Sequence, residues 1–195
     1  MEKNIIFLFI VIFLLSCKSN NYKNIEIYRD NRKLNLLIYK DEDSSEIIIP
    51  FAYKITNNSN KILNLNPIKP KRKVTFLTEQ HFINENNELQ TFFLKKIKSK
   101  ESLTVIVFGS KIINNDDLEY PLVKEKSLAE YKKLINIEDY QDIKFKKTDL
   151  YKNLVNEIEK DSIFFHFTNR EENIDFYKVG TIEGKTFFTD DKSNK

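Results

Sequence analysis

The chain has very little cysteine and glycine and no tryptophan, residues on which several classes of binding and catalytic site depend. It contains one cysteine, so neither an internal disulfide nor a thiolate metal site can form, and it has no tryptophan for stacking on sugars. Its three glycines, Gly109, Gly180 and Gly184, cannot build a glycine-rich phosphate loop, and no GxSxG motif is present. These absences argue against a glycine-rich phosphate loop, a serine hydrolase with a GxSxG motif and a sugar-stacking surface, and no cofactor is predicted.

Long apolar runs are also lacking, apart from one near the amino terminus. Residues 5–15 are eleven consecutive apolar residues that follow Lys3. A helix of that length reaches roughly 16 Å, which is about half of the ~30 Å hydrocarbon core of a bilayer. The run is therefore too short to span a membrane, and it fits the apolar region of an export signal.

The apolar run ends in a short motif, Leu14, Leu15, Ser16 and Cys17. This motif resembles the lipobox of bacterial lipoproteins, in which a peptidase cuts before the cysteine and leaves its thiol joined to diacylglycerol. The resemblance implies a signal peptide over residues 1–16, a fatty-acylated (palmitate-bearing) Cys17 and a spacer through residue 24. Each buried methylene of an acyl chain contributes ~0.8 kcal/mol, so two or three chains would hold the domain firmly on a membrane.

The residues just after the cysteine bear on the membrane leaflet. Surface-exported lipoproteins of one bacterial group carry acidic residues there, whereas residues 18–21 of this chain, Lys-Ser-Asn-Asn, contain none. We therefore expect a protein of the cell envelope, lipid-anchored to the outer membrane and facing the periplasm.

The charge gives no indication of a nucleic-acid partner. The formal net charge is +3, from 28 Lys and 4 Arg spread over a chain that is 31% charged. Clustering of basic residues, more than their total, indicates nucleic-acid binding. The length after residue 16 fits one domain, predicted over residues 25–189, with a disordered tail at residues 190–195.

Residues 25–108 have the pattern of strands separated by polar turns. Residues 25–29 and 34–40 flank Asp30 and Asn31, which tolerate turn conformations, so they predict a hairpin. Residues 47–56 alternate at the strand period, and Pro50 within them predicts a bulge or a sheet edge. Further strands are predicted at residues 61–65, 73–78, 81–84, 89–94 and 103–108.

Residues 51–63 contain an alternating strand, an Asn-rich turn and the start of a second strand. This segment resembles the strand-turn-strand of bacterial extracytoplasmic immunoglobulin-like modules. Together with the spacing of the other strands it predicts a mainly β protein, an antiparallel immunoglobulin-like sandwich. The alternative is an α+β fold.

The period changes to that of a helix between residues 127 and 160, which predicts a two-helix insertion. Ser127 and Glu130 form a capping box for the first helix. The second begins after Thr148, and its apolar stripe comprises Leu150, Leu154, Val155 and Ile158. Strands resume at residues 163–168 and 174–182, which are predicted to pair as a hairpin across a turn at residues 169–173. A tight turn at Gly184 precedes a strand at residues 185–189.

The two histidines, His81 and His166, are the first candidates for catalysis. Neither has the spacing of a metal-binding motif. A catalytic role for His166 would require a carboxylate such as Asp175 beside it, whereas a structural role requires only a strand histidine that points outward. The structural interpretation is favoured, so no catalytic or metal-binding residue is assigned. The acidic loop at residues 41–46 supplies oxygen ligands for Ca²⁺ but lacks the glycine of a calcium loop.

A basic segment is the remaining candidate site. Lys69, Lys71, Arg72 and Lys73 place four charges within five residues, beside Pro67 and Pro70. In the envelope, its partners would be anionic headgroups, lipopolysaccharide phosphates or an acidic protein surface. A solvated loop is the alternative interpretation of this segment.

The sequence thus predicts a non-enzymatic, membrane-anchored lipoprotein that binds an envelope protein as an accessory module. One alternative is a periplasmic immunity protein against a toxin, whose gene would lie directly beside a toxin gene. The other is a hydrolase or glycan-processing enzyme that uses His166.

Overall fold

A pair of long strands forms the centre of the fold. The computed structural model describes residues 24–32, 34–66, 80–83, 89–91, 94–117, 144–171, 173–184 and 187–191. Within them the strands are β1 (Ile25–Asp30), β2 (Leu37–Lys40), β3 (Ser44–Asn57), β4 (Leu63–Asn66), β5 (Gln80–Ile83), β6 (Leu89–Thr91), β7 (Lys95–Ile97), β8 (Ser102–Asn114), β9 (Ser162–Asn169), β10 (Ile174–Thr181) and β11 (Phe187–Asp191). A 3₁₀ turn spans Asn115–Asp117, and helix α1 spans Asp149–Glu159.

The strands form two antiparallel sheets. The first has the order β1-β3-β8-β5-β6, with β2 also paired to β3, and the second has the order β11-β10-β9-β4-β7. In immunoglobulin constant-type sandwiches one sheet has the order A-B-E-D and the other C-F-G. The orders β1-β3-β8-β5 and β4-β9-β10 reproduce this arrangement in the same chain order. The predicted mainly β, antiparallel sandwich is therefore confirmed.

The hairpin predicted between residues 25–29 and 34–40 is wrong. β1 pairs with Ala52–Asn57 of β3, and β2 pairs with Ser45–Ile48 of the same strand. Since β8 occupies the other edge of β3, β1 and β2 lie end to end along one edge. A strand of fourteen residues offers enough edge for two short partners, so they need not pair with each other.

Pro50 lies in the interior of β3 without a bulge. The pairing of β3 with β8 continues through the pair Pro50↔Phe108 with no shift of register. On the opposite edge, Pro50 falls in the gap between the residues paired to β1 and to β2. The missing N–H of proline leaves no ladder bond unmade there, so the predicted bulge is not needed.

The main core lies between the two sheets. Alternate residues of β3 and β8 pack against those of β4, β9 and β10, and the largest fully buried side chains include Phe51, Tyr53, Phe165, Phe167 and Phe176. The rings of Tyr53 and Phe165 meet edge to face across the sheets, with centroids 5.5 Å apart.

A second apolar cluster covers the other face of the first sheet. It comprises Leu34, Leu37, Ile48, Ala52, Ile83, Ile106 and Phe108. Because β3 and β8 are buried on both faces, parts of their sequences are continuous apolar runs instead of alternating patterns.

Helix α1 packs on the inner face of β8, beyond the part of that strand covered by the second sheet. It begins at its predicted N-cap, Thr148, whose Oγ1 accepts a hydrogen bond from the N–H of Tyr151. Its apolar stripe joins the main core, with Leu154 and Ile158 buried. The second predicted helix is thus confirmed, while the first lies outside the described residues. No helix among the described residues is long and apolar enough to cross a membrane.

The carboxyl-terminal strands agree with the prediction except at the tail. β9 and β10 form the predicted hairpin, and Gly184 takes the positive φ of 76° that a tight turn requires before β11. β11 extends to Asp191, two residues into the segment predicted to be disordered, because Asp190 and Asp191 pair with β10.

Candidate functional site

Of the predicted site residues, His166 is the one that the structure describes with its contacts. Cys17 and the basic segment of Lys69, Lys71, Arg72 and Lys73 lie outside the described residues. His81 lies on β5, opposite Ile106 of β8. The candidate site is therefore built around His166.

His166 lies on the outer face of the second sheet, because its neighbours Phe165 and Phe167 on β9 point into the core. Its Nε2 lies 2.7 Å from Oδ1 of Asp175 on β10. Its ring also stacks on the ring of Tyr177, the residue opposite it, with centroids 4.3 Å apart and planes 3° from parallel. The histidine points outward, as a structural role requires, and it also meets the carboxylate that a catalytic role requires.

Two polar side chains extend this surface onto β4. Asn66 donates a hydrogen bond from Nδ2 to Oγ1 of Thr168, at 3.0 Å. Oδ1 of the neighbouring Asn64 is buried without a hydrogen-bond partner in the part of the chain that the structure describes. We call His166, Asp175, Tyr177, Asn66 and Thr168 the His166 surface.

The chemistry available at the His166 surface follows from its exposure. The side chain of His166 is 24% exposed and that of Asp175 is 61% exposed, so water screens their attraction. A carboxylate held against one imidazole nitrogen fixes the orientation of the ring. General-base catalysis would in addition need a nucleophile within hydrogen-bond reach of the imidazole.

Metal binding has no support among the described residues, where no three His, Cys, Asp or Glu side chains gather to hold an ion. Asp41 and Asp43 of the acidic loop form the turn between β2 and β3, in which the N–H of Asp41 donates to the carbonyl of Ser44.

A second polar cluster, which the sequence did not predict, surrounds Arg29. Its Nη1 donates to Oε1 of Glu159 at 2.6 Å and to the carbonyl of Ile182 at 3.3 Å. The guanidinium also lies over the ring of Phe51, 4.6 Å from its centroid. The hydroxyl of Tyr53 donates to the same carbonyl of Ile182. The cluster joins β1, β3, α1 and the turn after β10, so its role is to fix the helix against the sheets.

Burial perturbs two ionisable groups in the core. Desolvation raises the pKa of Tyr53 well above its ordinary value, with Arg29 opposing that rise and Glu159 adding to it. The Tyr53 hydroxyl therefore stays protonated and remains a donor. Desolvation also lowers the pKa of Lys178, which is 7% exposed and lies opposite Phe165 on β9.

No protein-family model, curated protein or solved structure matches this chain. Function must therefore be argued from the residues themselves.

Proposed function

We propose that this protein is a lipoprotein of the bacterial cell envelope, anchored through acyl chains on Cys17, that binds another envelope protein as an accessory module. The observation that carries the proposal is the order of residues 3–17: Lys3, then eleven apolar residues at positions 5–15 that end in Leu14 and Leu15, then Ser16 and Cys17. The position of the first strand supports it, since β1 begins eight residues after Cys17 and leaves only a short spacer between lipid and domain.

Binding rather than catalysis is proposed because the interactions of His166 have a structural explanation. Its stacking on Tyr177 and its contact with Asp175 are cross-strand pairs of the kind that stabilise an antiparallel hairpin. Two candidate binding faces then remain, the His166 surface and the basic segment of Lys69, Lys71, Arg72 and Lys73. The proposed location is the periplasmic side of the outer membrane, on the basis of residues 18–21.

Replacing Cys17 with serine tests the anchor. We expect Cys17→Ser to abolish incorporation of an alkyne fatty acid in cells and to leave an uncleaved precursor, because serine has no thiol to receive the diacylglycerol. Ser16→Ala is the matched control, since it keeps both a small residue before the cysteine and the thiol. Fatty-acid labelling that persists in Cys17→Ser would exclude this attachment site.

A hydrolase or glycan-processing enzyme is the second candidate function, and the 2.7 Å contact between His166 and Asp175 favours it. If the contact is structural, His166→Ala should lower the free energy of unfolding by no more than about 1 kcal/mol, because the side chain is partly exposed, and cellular function should persist. Asp175→Asn is the companion variant, because it keeps an oxygen acceptor and removes the charge. A fully folded His166→Ala protein that has lost function would favour the enzyme.

A further inference from the structure

We propose that one end of the sandwich rests on anionic phospholipid headgroups and thereby holds the domain upright on the membrane. This end, the tether pole, comprises Asn24, the turn at residues 58–62, the loop at residues 98–101 and the turn at residues 169–173. The inference rests on the proposed lipid at Cys17, and the experiment below separates the two.

The chain enters the folded domain at the tether pole. The carbonyl of Asn24 accepts a hydrogen bond from the N–H of Asn58 at 2.8 Å, and Ile25 pairs with Asn57 at the end of β3. Asn24 is seven positions after Cys17, a distance of at most about 25 Å even when the chain is fully extended. The far end of the fourteen-residue β3 is ~45 Å away along the strand. The lipid anchor therefore brings the tether pole, and not the far end, to the bilayer surface.

The tether pole has the side chains of a membrane-contacting surface. Ile62 is 50% exposed, although it directly precedes the buried Leu63. Its carbonyl accepts a hydrogen bond from Nδ2 of Asn169, so it lies beside the turn that carries the exposed Arg170. On its other side β7 ends at Ile97, opposite Leu63, and is followed by the exposed Lys98. An exposed apolar side chain flanked by cations suits the boundary between headgroups and acyl chains.

The charges of the tether pole also favour an anionic surface. The described residues of its three loops include more cations than carboxylates. The cations are Lys61, Lys98, Lys100 and Arg170, and the carboxylates are Glu101 and Glu171. The carboxylate of Glu101 already accepts a hydrogen bond from the N–H of Lys98, at 2.6 Å. Outside the described residues, the sequence adds one carboxylate, Glu172, and two cations of the spacer, Lys18 and Lys23.

The described turns at the opposite end of the molecule carry acidic side chains. The turn between β2 and β3 carries Asp41, Glu42 and Asp43, and the side chain of Asn115 joins it to the 3₁₀ turn that contains Asp116. Residues 41–46 and 112–117 contain no Lys or Arg. An anionic membrane surface repels this end and attracts the tether pole. Charge and tether therefore select the same orientation, with the acidic end pointing away from the bilayer.

The orientation can be measured with single labels on the acylated, full-length protein. Acylation consumes the only native thiol, so Ile62→Cys and Glu42→Cys each create one reactive site. Each protein is labelled with an environment-sensitive fluorophore and reconstituted into phosphatidylethanolamine–phosphatidylglycerol vesicles that carry a headgroup quencher. We expect strong quenching at position 62 and weak quenching at position 42. Equal quenching at the two positions would overturn the proposal.

Charge reversal at the tether pole tests the cause of the orientation. Lys98→Glu combined with Arg170→Glu should reduce the difference in quenching to the part that the tether alone produces, and raised salt should reduce it in the wild type. Lys147→Glu combined with Lys160→Glu changes the net charge equally on exposed lysines next to helix α1 and should leave the difference intact. A difference in quenching that is as large after the tether-pole reversal as in the wild type would refute the electrostatic contact.

Vesicle flotation separates failure of this inference from failure of the proposed function. An acylated protein floats with vesicles whatever its orientation. Flotation with equal quenching at the two positions would therefore refute the contact of the tether pole with headgroups, while the acyl anchor on Cys17 would remain supported. A wild-type protein that carries no acyl chain and does not float overturns the proposed function, and the inference that depends on it.

Discussion

Replacing Asn57, the last residue of β3, with aspartate is expected to lower the free energy of unfolding by at least about 3 kcal/mol. Nδ2 of Asn57 donates to three carbonyl oxygens, those of Lys61 at 2.7 Å and of Ile97 and Lys98 at 3.1 Å. Oδ1 accepts from the N–H and the hydroxyl of Ser59. Asn57 is completely buried, so water cannot replace these bonds.

Aspartate has almost the same shape as asparagine, but it has no donor and brings a negative charge. Asn57→Asp would place a buried carboxylate against three carbonyl oxygens, which repel it. The carbonyls of Lys61 and Lys98 would keep a hydrogen bond from Oγ of Ser59 and the N–H of Glu101, so the main cost is the buried, uncompensated charge. Such a charge costs about 3–5 kcal/mol, so the loss in free energy of unfolding should be at least about 3 kcal/mol. The measurement is urea unfolding followed by circular dichroism, on a chain that begins at Asn24.

Asn60→Asp is the matched control, because Asn60 lies in the same turn and is exposed. Its substitution should change the free energy of unfolding by no more than about 0.5 kcal/mol. If Asn57→Asp and Asn60→Asp unfold at the same urea concentration, the hydrogen bonds of Asn57 do not stabilise this end of the sandwich.

The same asparagine shows how far the sequence could predict the fold. The Asn-rich composition of residues 57–60 was sufficient to predict a turn, because asparagine tolerates turn conformations and bonds to its own backbone. The loop that Asn57 holds, at Lys98, is forty-one positions away, and the carbonyl of Asn57 also accepts from the N–H of Lys100 in it. No local pattern encodes such a contact, since it depends on how β3, β4, β7 and β8 are arranged in space.

The wrong hairpin has a similar cause. Aspartate is common in turns, and the chain does turn locally at Asp30. Its carboxylate accepts hydrogen bonds from N and Nε of Arg32. A local turn does not determine which strand the flanking residues join. That choice was decided by the length of β3, whose edge accommodates both β1 and β2.

The two polar clusters differ in how much of each could be predicted. Asp175 could be named as the partner of His166 because a predicted hairpin places residues on either side of one turn close together. Arg29 and Glu159 are 130 positions apart, and nothing in the sequence around either residue distinguishes it from an ordinary charged surface residue. Their contact arises only when α1 packs against the sandwich.

Replacing Gly109 with alanine is expected to displace helix α1 and to lower the free energy of unfolding by about 2 kcal/mol, the usual size of an overpacking effect. A Cβ atom at Gly109 would lie 2.6 Å from Cγ2 of Ile158 on the helix and 3.0 Å from Cε2 of Phe51 on β3. The first distance is far shorter than any ordinary contact between carbon atoms. Within a strand, alanine is normally preferred to glycine, so a loss of stability here would come from the helix and not from strand propensity.

A double-mutant cycle with Ile158→Ala isolates this contact. Ile158→Ala alone removes a completely buried side chain and should cost about 3 kcal/mol through the cavity that it leaves. It also removes the methyl group that the new Cβ would strike, so Gly109→Ala should cost much less in the Ile158→Ala background than in the wild type. Urea unfolding of the four proteins gives the coupling. Additive losses would mean that α1 does not pack against Gly109 in solution. Because Arg29 and Glu159 connect the end of this helix to β1, the interaction between them should weaken along with the helix contact in Gly109→Ala.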